Sequence, residues 1–382
     1  MLAATPAFSA DPPRETTAPP VFAPSTVVTP LRGAPTVPAP RPAAPTLPAQ
    51  PARQPIPTGA APHVALILPL ASPFLGRVAD ALRQGFVAAG EVAGRNALPV
   101  RVYATVDDGQ AAIDACTQAQ ASGAVLVVAG LTRDGATALS RSTCPRQPTL
   151  VLNSPQDAEL PARMYAISLS AEQEARQAAL MAINDGMVAA IVIGTPSPLS
   201  RRVVEAFERE WGRAAGEAGR VMFSGNPEEA PAIKERIATM RGDMVFLALD
   251  QAATRAVRPY ISATLSVYTT SLGVDPRADP SVNVDLEGVR YVDMPWFVQP
   301  DHPAVMIYPH PSAPMAVEQE RLYALGIDAY RLCAPLLQAQ SRSLTLDGVT
   351  GRIDLEAGRH FARTLVPTGF DAGRAAPLHS SR

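Results

Sequence analysis

The sequence predicts an α/β fold: two doubly wound parallel-sheet lobes preceded by a disordered Pro-rich segment. Three observations lead there. Runs such as VALILPL (64–70) and AVLVVAG (124–130) are apolar without alternation, as strands are when helices cover both faces of a parallel sheet. Stretches with three- and four-residue apolar spacing, the helical period, separate these runs. The alternation occurs once over 63–170 and again over 171–272, so two similar lobes are expected. Ahead of it, 17 of the chain's 40 prolines fall within residues 1–62, with little but Ala, Thr and Val between them. That is the composition of an extended linker.

The elements follow in order. VALILPL leads into a helix over 72–94, with Ser72 as N-cap, Pro73 at its first position, and Phe74, Val78, Leu82 and Phe86 on one face. Next come VRVYATVD (100–107), a helix to about 122, AVLVVAG, a short helix, PTLVLNSP (148–155) and MYAISLS (164–170). The second unit has a helix over 171–185, MVAAIVIGT (187–195), a helix through Val203, Phe207 and Trp211, and a strand at RVMFSG. It continues with a helix around 233–240, DMVFLALD (243–250), a helix to about 265, and SVYTTSL (266–272). Beyond lie a less regular region to 298, a long helix over 315–339, and GVTGRIDL as turn and strand. Accordingly 1–62 is a Pro/Ala-rich linker with a signal-peptide remnant, 63–168 plus 273–343 form lobe 1, 169–272 plus 344–375 form lobe 2, and 376–382 are a tail.

Composition narrows the function classes. A net charge of −2 and a pI near 6.2, without long runs of like charge, lack the basic footprint of a nucleic-acid binder. No apolar run is long enough for a transmembrane segment. The opening MLAATPAFSADPP reads as the end of a secretory signal without its basic start, which points to export. Cys116 and Cys144 are read either as a disulfide or as two buried thiols, and Cys333, in AYRLCAPLL, as a core residue. Lys234 is the single lysine among 33 basic residues, a bias of composition.

Catalytic signatures are missing. GxxxxGK, GxGxxG, HExxH, paired CxxC and GxSxG do not occur, and the histidines at 63, 302, 310, 360 and 379 have no metal-ligand spacing. No cofactor and no metal are expected. Asp107 and Asp108 close a strand at the carboxyl edge of a sheet, and Asp243 and Asp250 bracket DMVFLALD; all four suit turns and helix caps. The same edges carry small hydroxyl and amide residues: Ser72, Thr132, Asn153, Ser154, Thr195 and Ser197. They serve either as N-caps or as the lining of an interlobe cleft that holds a small ligand. Trp296 and Phe297 are expected in the core, and Tyr323, Ile327, Tyr330 and Ala334 form a buried stripe on one helix.

Four segments carry a resemblance. DMVFLALD (243–250), DLEGVRYVDMPWF (285–297), ERLYALGIDAYRL (320–332) and TGRIDL (350–355), in this order, resemble the LppC family of penicillin-binding-protein activators. The carboxyl-terminal domain of that family has the type I periplasmic binding-protein fold, and the resemblance spans 63–370. It implies a non-catalytic protein of the periplasm that binds a bifunctional peptidoglycan synthase and stimulates its transpeptidase by contact. Family members are typically outer-membrane lipoproteins anchored through a cysteine after the signal, whereas the first cysteine here is Cys116. Some also carry a helical-repeat domain ahead of this one, where the present chain has the Pro-rich segment. The alternative is a periplasmic solute-binding or receptor module for an amino acid or similar small ligand. Its cleft would want an aromatic or an acid where the turn after VAAIVIGT reads Pro-Ser-Pro-Leu-Ser.

Overall fold

Strands without a polar face build the centres of two sheets. In a computed structural model the chain is described over residues 61–144, 146–156, 159–338 and 343–378. The Pro-rich segment over 1–60 and the tail over 379–382 lie outside the described residues. The first sheet contains β1 (His63–Leu68), β2 (Val100–Ala104), β3 (Ala124–Ala129), β4 (Thr149–Val151) and β5 (Met164–Ala166). All pair in parallel in the order β2-β1-β3-β4-β5. The central β1 is buried along its whole length, while the edge strand β2 is only partly covered. Helices α1 (Gly76–Ala93), α2 (Gln110–Ala121) and α3 (Arg133–Arg141) connect these strands.

After β5 the chain enters the second lobe through α4 (Ala171–Asn184). There it forms β6 (Ala190–Gly194), α5 (Pro198–Trp211), β7 (Gly219–Met222), α6 (Ala230–Ala238), β8 (Met244–Ala248), α7 (Gln251–Val257), β9 (Ser266–Thr269) and β10 (Val289–Asp293). A short helix α8 (Pro295–Val298) and the long α9 (Val317–Gln338) carry the chain back to the first lobe, where α9 packs along α1. Then β11 (Thr345–Gly348), β12 (Gly351–Leu355) and β13 (Phe361–Thr364) make a small antiparallel sheet. Finally β14 (Val366–Asp371) and β15 (Arg374–Pro377) join the second sheet, whose order is β15-β14-β10-β9-β8-β6-β7.

The α/β class and the binding-protein-like pair of sheets stand as expected, and several boundaries move. Residues 289–293, expected in lobe 1, pair in parallel with β9 through Val289 and Val267, because the chain crosses only after Asp293. Residues 345–364, expected in lobe 2, form their own sheet. Of the last two strands β14 runs antiparallel to β10 and β15 antiparallel to β14, a tight hairpin joining the two at Ala372 and Gly373, both with positive φ. They reach Pro377, two residues past the expected end of the lobe. Helix α1 starts at Gly76, not Ser72, so Phe74 falls out of the helical phase and stands 89% exposed while Leu82 and Phe86 are buried.

Among the described residues three apolar clusters form. One packs α2 and α3 on the outer face of the first sheet, with Cys116 and Leu139; another packs α6 and α7 on the outer face of the second, with Ile233 and Val257. The third is shared. It runs from Leu66 and Val128 through Phe86, Tyr323 and Tyr330 to Trp296 and Met294, and on to Phe207, Trp211 and Phe246 of the second lobe. Helices α1 and α9 approach closely because Gly85 and Gly326 face each other's backbone; a Cβ at either would overlap Tyr323 O or Leu82 O. The buried stripe on α9 holds for Tyr323, Ile327 and Tyr330, with Ala334 half-buried. Cys116 and Cys144 are joined by a disulfide with Cα atoms 6.3 Å apart, tying α2 to the loop after α3. Cys333 is buried.

Candidate functional site

The carboxyl-edge turns are built by capping. Thr132 N-caps α3, its Oγ1 accepting from Gly135 N at 2.9 Å. Ser197 N-caps α5 by accepting from Ser200 N at 3.1 Å, and Asp250 N-caps α7 by accepting from Ala253 N at 2.8 Å. Asp107 accepts from Gly109 N and Ala111 N ahead of α2. Asp243 binds Val188 N and Ala189 N. Asp108 is buried and accepts from Thr132 N and Oγ1 at 2.6 and 2.8 Å; burial raises its carboxyl above the usual range despite those bonds.

Two of the six candidate cleft residues meet. Thr195 and Ser197 line a cavity of about 340 Å³ at the carboxyl edge of the second sheet, with Leu199, Ala248, Asp250, Thr270 and Leu272. Glu318, from the first turn of α9, closes one side, and Gln251 Nε2 donates to it at 3.1 Å. Three of the hydroxyls here are already engaged: Thr195 Oγ1 donates to Ser197 Oγ, and Ser200 Oγ donates to Ala248 O while accepting from Thr195 N. Ser72, Thr132, Asn153 and Ser154 belong to the first lobe instead. Ser72 Oγ accepts from Leu75 N at 3.3 Å. Asn153 donates to Leu131 O and accepts from Ser154 N, and Ser154 Oγ lies 3.5 Å from Ser168 Oγ. Nothing lining the cavity pairs a nucleophile with a base. Among the described residues no group of three or more His, Cys, Asp or Glu is placed to hold a metal, and no helix is long and apolar enough to cross a membrane.

Sequence reasoning missed the hinge. The chain crosses between lobes after β5, after β10 and after α9, and buried charged residues from all three crossings converge. Arg321, on α9, donates through both guanidinium nitrogens to Asp293 at the end of β10, and it stacks 4.7 Å over the Phe297 ring. Burial opposes its charge, but Asp293 and Glu174 outweigh that and hold it above the ordinary arginine range. Asp328 accepts from Val349 N, from Thr350 N and Oγ1, and from Arg331. Arg363, on β13, donates to Ser168 O at 2.9 Å and to Thr350 O at 3.1 Å. Glu174 accepts from Ser271 N at 2.9 Å, and burial pushes its carboxyl up. Glu320 accepts from Trp296 Nε1 at 2.9 Å and pairs with Arg277. The available signal was Arg321 and Asp328, seven residues apart and so on one side of an otherwise apolar helix.

Several of these residues stand in the segments that carry the family resemblance. Asp293 and Trp296 stand in DMPWF, Glu320, Arg321 and Asp328 in ERLYALGIDAYRL, and Thr350 in TGRIDL. A family model described as "LppC putative lipoprotein" matches residues 41–373. The chain belongs to the LppC family. A curated LppC relative, penicillin-binding protein activator LpoA of Photobacterium profundum, is 24% identical over 336 residues, covering 77% of this chain and 53% of its own. This LppC chain spans about half the length of the curated relatives it matches. The LpoA C-domain of Haemophilus influenzae, described as a regulator of PBP1A, superimposes with a TM-score of 0.69 at 21% identity, over 83% of this chain and all of that one. A Chromobacterium violaceum structure described as "a putative branched-chain amino acid ABC transporter" superimposes with a TM-score of 0.70 at 35% identity, over 81% of this chain and all of that one.

Proposed function

We propose that this chain is a non-catalytic activator of a peptidoglycan synthase of the penicillin-binding-protein class, acting in the periplasm by protein contact. The family match over residues 41–373, with curated relatives named for that activity, carries the reading. Two structural observations support it. The cavity offers the hydroxyls of Ser197 and Ser200, bound up in a helix cap and a backbone bond, and no acid–base pair, which suits a protein that performs no chemistry. The Cys116–Cys144 disulfide suits an oxidising compartment.

The test adds purified chain to a bifunctional synthase from the same cell and measures cross-linked peptidoglycan. Faster transpeptidation with unchanged substrate affinity is expected, together with co-purification of the two proteins. No binding and no stimulation would overturn the reading. The second reading, a solute-binding module, is favoured by the 340 Å³ cavity and the Chromobacterium violaceum likeness. It predicts a rise in melting temperature with a single amino acid, leucine being the first to try.

A further inference from the structure

A two-lobed binding protein can work as a clamp only if its lobes have two positions and a ligand prefers one of them. Three features here bear on that freedom. The shared apolar cluster passes through the hinge from one sheet to the other without a break. Behind it, Asp293 pairs with Arg321 and Asp328 with Arg331, and Glu174 and Arg363 are buried as well. On the cleft side, Glu172 of α4 accepts from Arg133 of the first lobe at 3.1 Å and from Arg202 of the second at 2.9 Å, both on Oε1. Ser170 holds the other oxygen at 2.9 Å.

We propose that the angle between the lobes is fixed by the chain's own side chains, the hinge charges behind and the Glu172 strap in front, so that the two lobes form one rigid body. Turning α9 against β10 would draw Arg321 away from Asp293, leaving charges buried without their counterparts. It would also shear the packing around Phe86, Tyr323 and Trp296, and packed cores do not deform smoothly. In a solute clamp the contacts that hold the closed state come from the solute. Here the chain supplies them.

The inference stands apart from the activator reading, because it is tested with no synthase present. Spin labels on Arg95→Cys in the first lobe and Glu217→Cys in the second, both exposed positions, report the distance between lobes by pulsed dipolar spectroscopy. The otherwise unaltered chain should give a single narrow distribution that leucine does not move. Two populations, or a shift with leucine, would overturn the proposal. In a Glu172→Arg background, and more strongly with Arg321→Met added, a second population at a changed distance is expected. If Arg321→Met prevents folding, Glu172→Gln in 1 M salt removes the strap while sparing the core, since salt screens exposed charges within a few ångströms. A distribution that stays narrow in every folded variant would show that these side chains do not set the angle.

Discussion

The turns at the carboxyl edges and the hinge behind them are both rich in polar residues, yet they are made in opposite ways. At the turns the capping groups serve their own neighbourhood: Ser197 caps a helix starting one residue later, and Asp250 does the same for α7. Such bonds are satisfied within three or four residues, and each contributes on the order of 1 kcal/mol. At the hinge the partners are far apart in sequence, Asp293 with Arg321 and Ser168 with Arg363. They are also out of water, so the loss of one leaves another unpaired. Polar residues that look like a site can be scaffolding, and those holding the architecture can hide inside apolar helices.

The largest effect should come from breaking that architecture. Arg321→Met leaves Asp293 buried without its bidentate partner and is expected to cost about 3–5 kcal/mol in urea unfolding. The double variant Arg321→Met/Asp293→Leu should recover most of this, because apolar replacement of a buried pair is often neutral. A single-variant cost no larger than that of a cap would erase the contrast between hinge and turn. Replacing both Cys116 and Cys144 by Ala frees a loop with a sequence separation of 28. That should cost about 3–4 kcal/mol from loop entropy, measured against the oxidised chain. Asp250→Ala, at a turn, should cost only about 1 kcal/mol, and its unfolding curve should leave the hinge couplings unchanged.

How much of this was legible follows the same division. The strands were readable because β1, β3, β6 and β8 are continuous apolar runs, and the caps because Thr132, Ser197 and Asp250 directly precede helical periods. Membership of β10 in the second sheet was not readable, since pairing Val289 with Val267 is a long-range choice that no local pattern encodes. The late start of α1 was missed because Ser72 and Pro73 make a persuasive N-terminus, while the chain in fact spends them on a turn. The four segments that signal the family were noticed as strings. Only the three-dimensional meeting of the last three at Asp293, Arg321, Asp328 and Thr350 explains why charged residues stand there.

The finest comparison sets two acids on one helix against each other. Glu172 and Glu174 both lie in the first turn of α4, one in the strap and one in the hinge. Burial alone would raise Glu172, but its own backbone N–H, Arg202, Ser170 and Arg133 hold its carboxyl down at about 2. Its folded-state value therefore lies below the unfolded one. The stability it contributes is complete above the ordinary glutamate range and is lost as pH falls toward 2. Glu174 moves the other way, because burial dominates; the folded chain takes up that proton before the unfolded chain does, and folding gains as pH falls through the raised value. Unfolding free energies measured in acid steps should show the advantage of the unaltered chain over Glu172→Gln shrinking with acid. Its standing relative to Glu174→Gln should improve over the same steps. The Glu172 difference should stay below about 1 kcal/mol near neutrality, as partly exposed ion pairs do, so the opposite slopes carry the result. Parallel slopes would mean that strap and hinge share one electrostatic environment, and the distinction between them would fail at the helix where they meet.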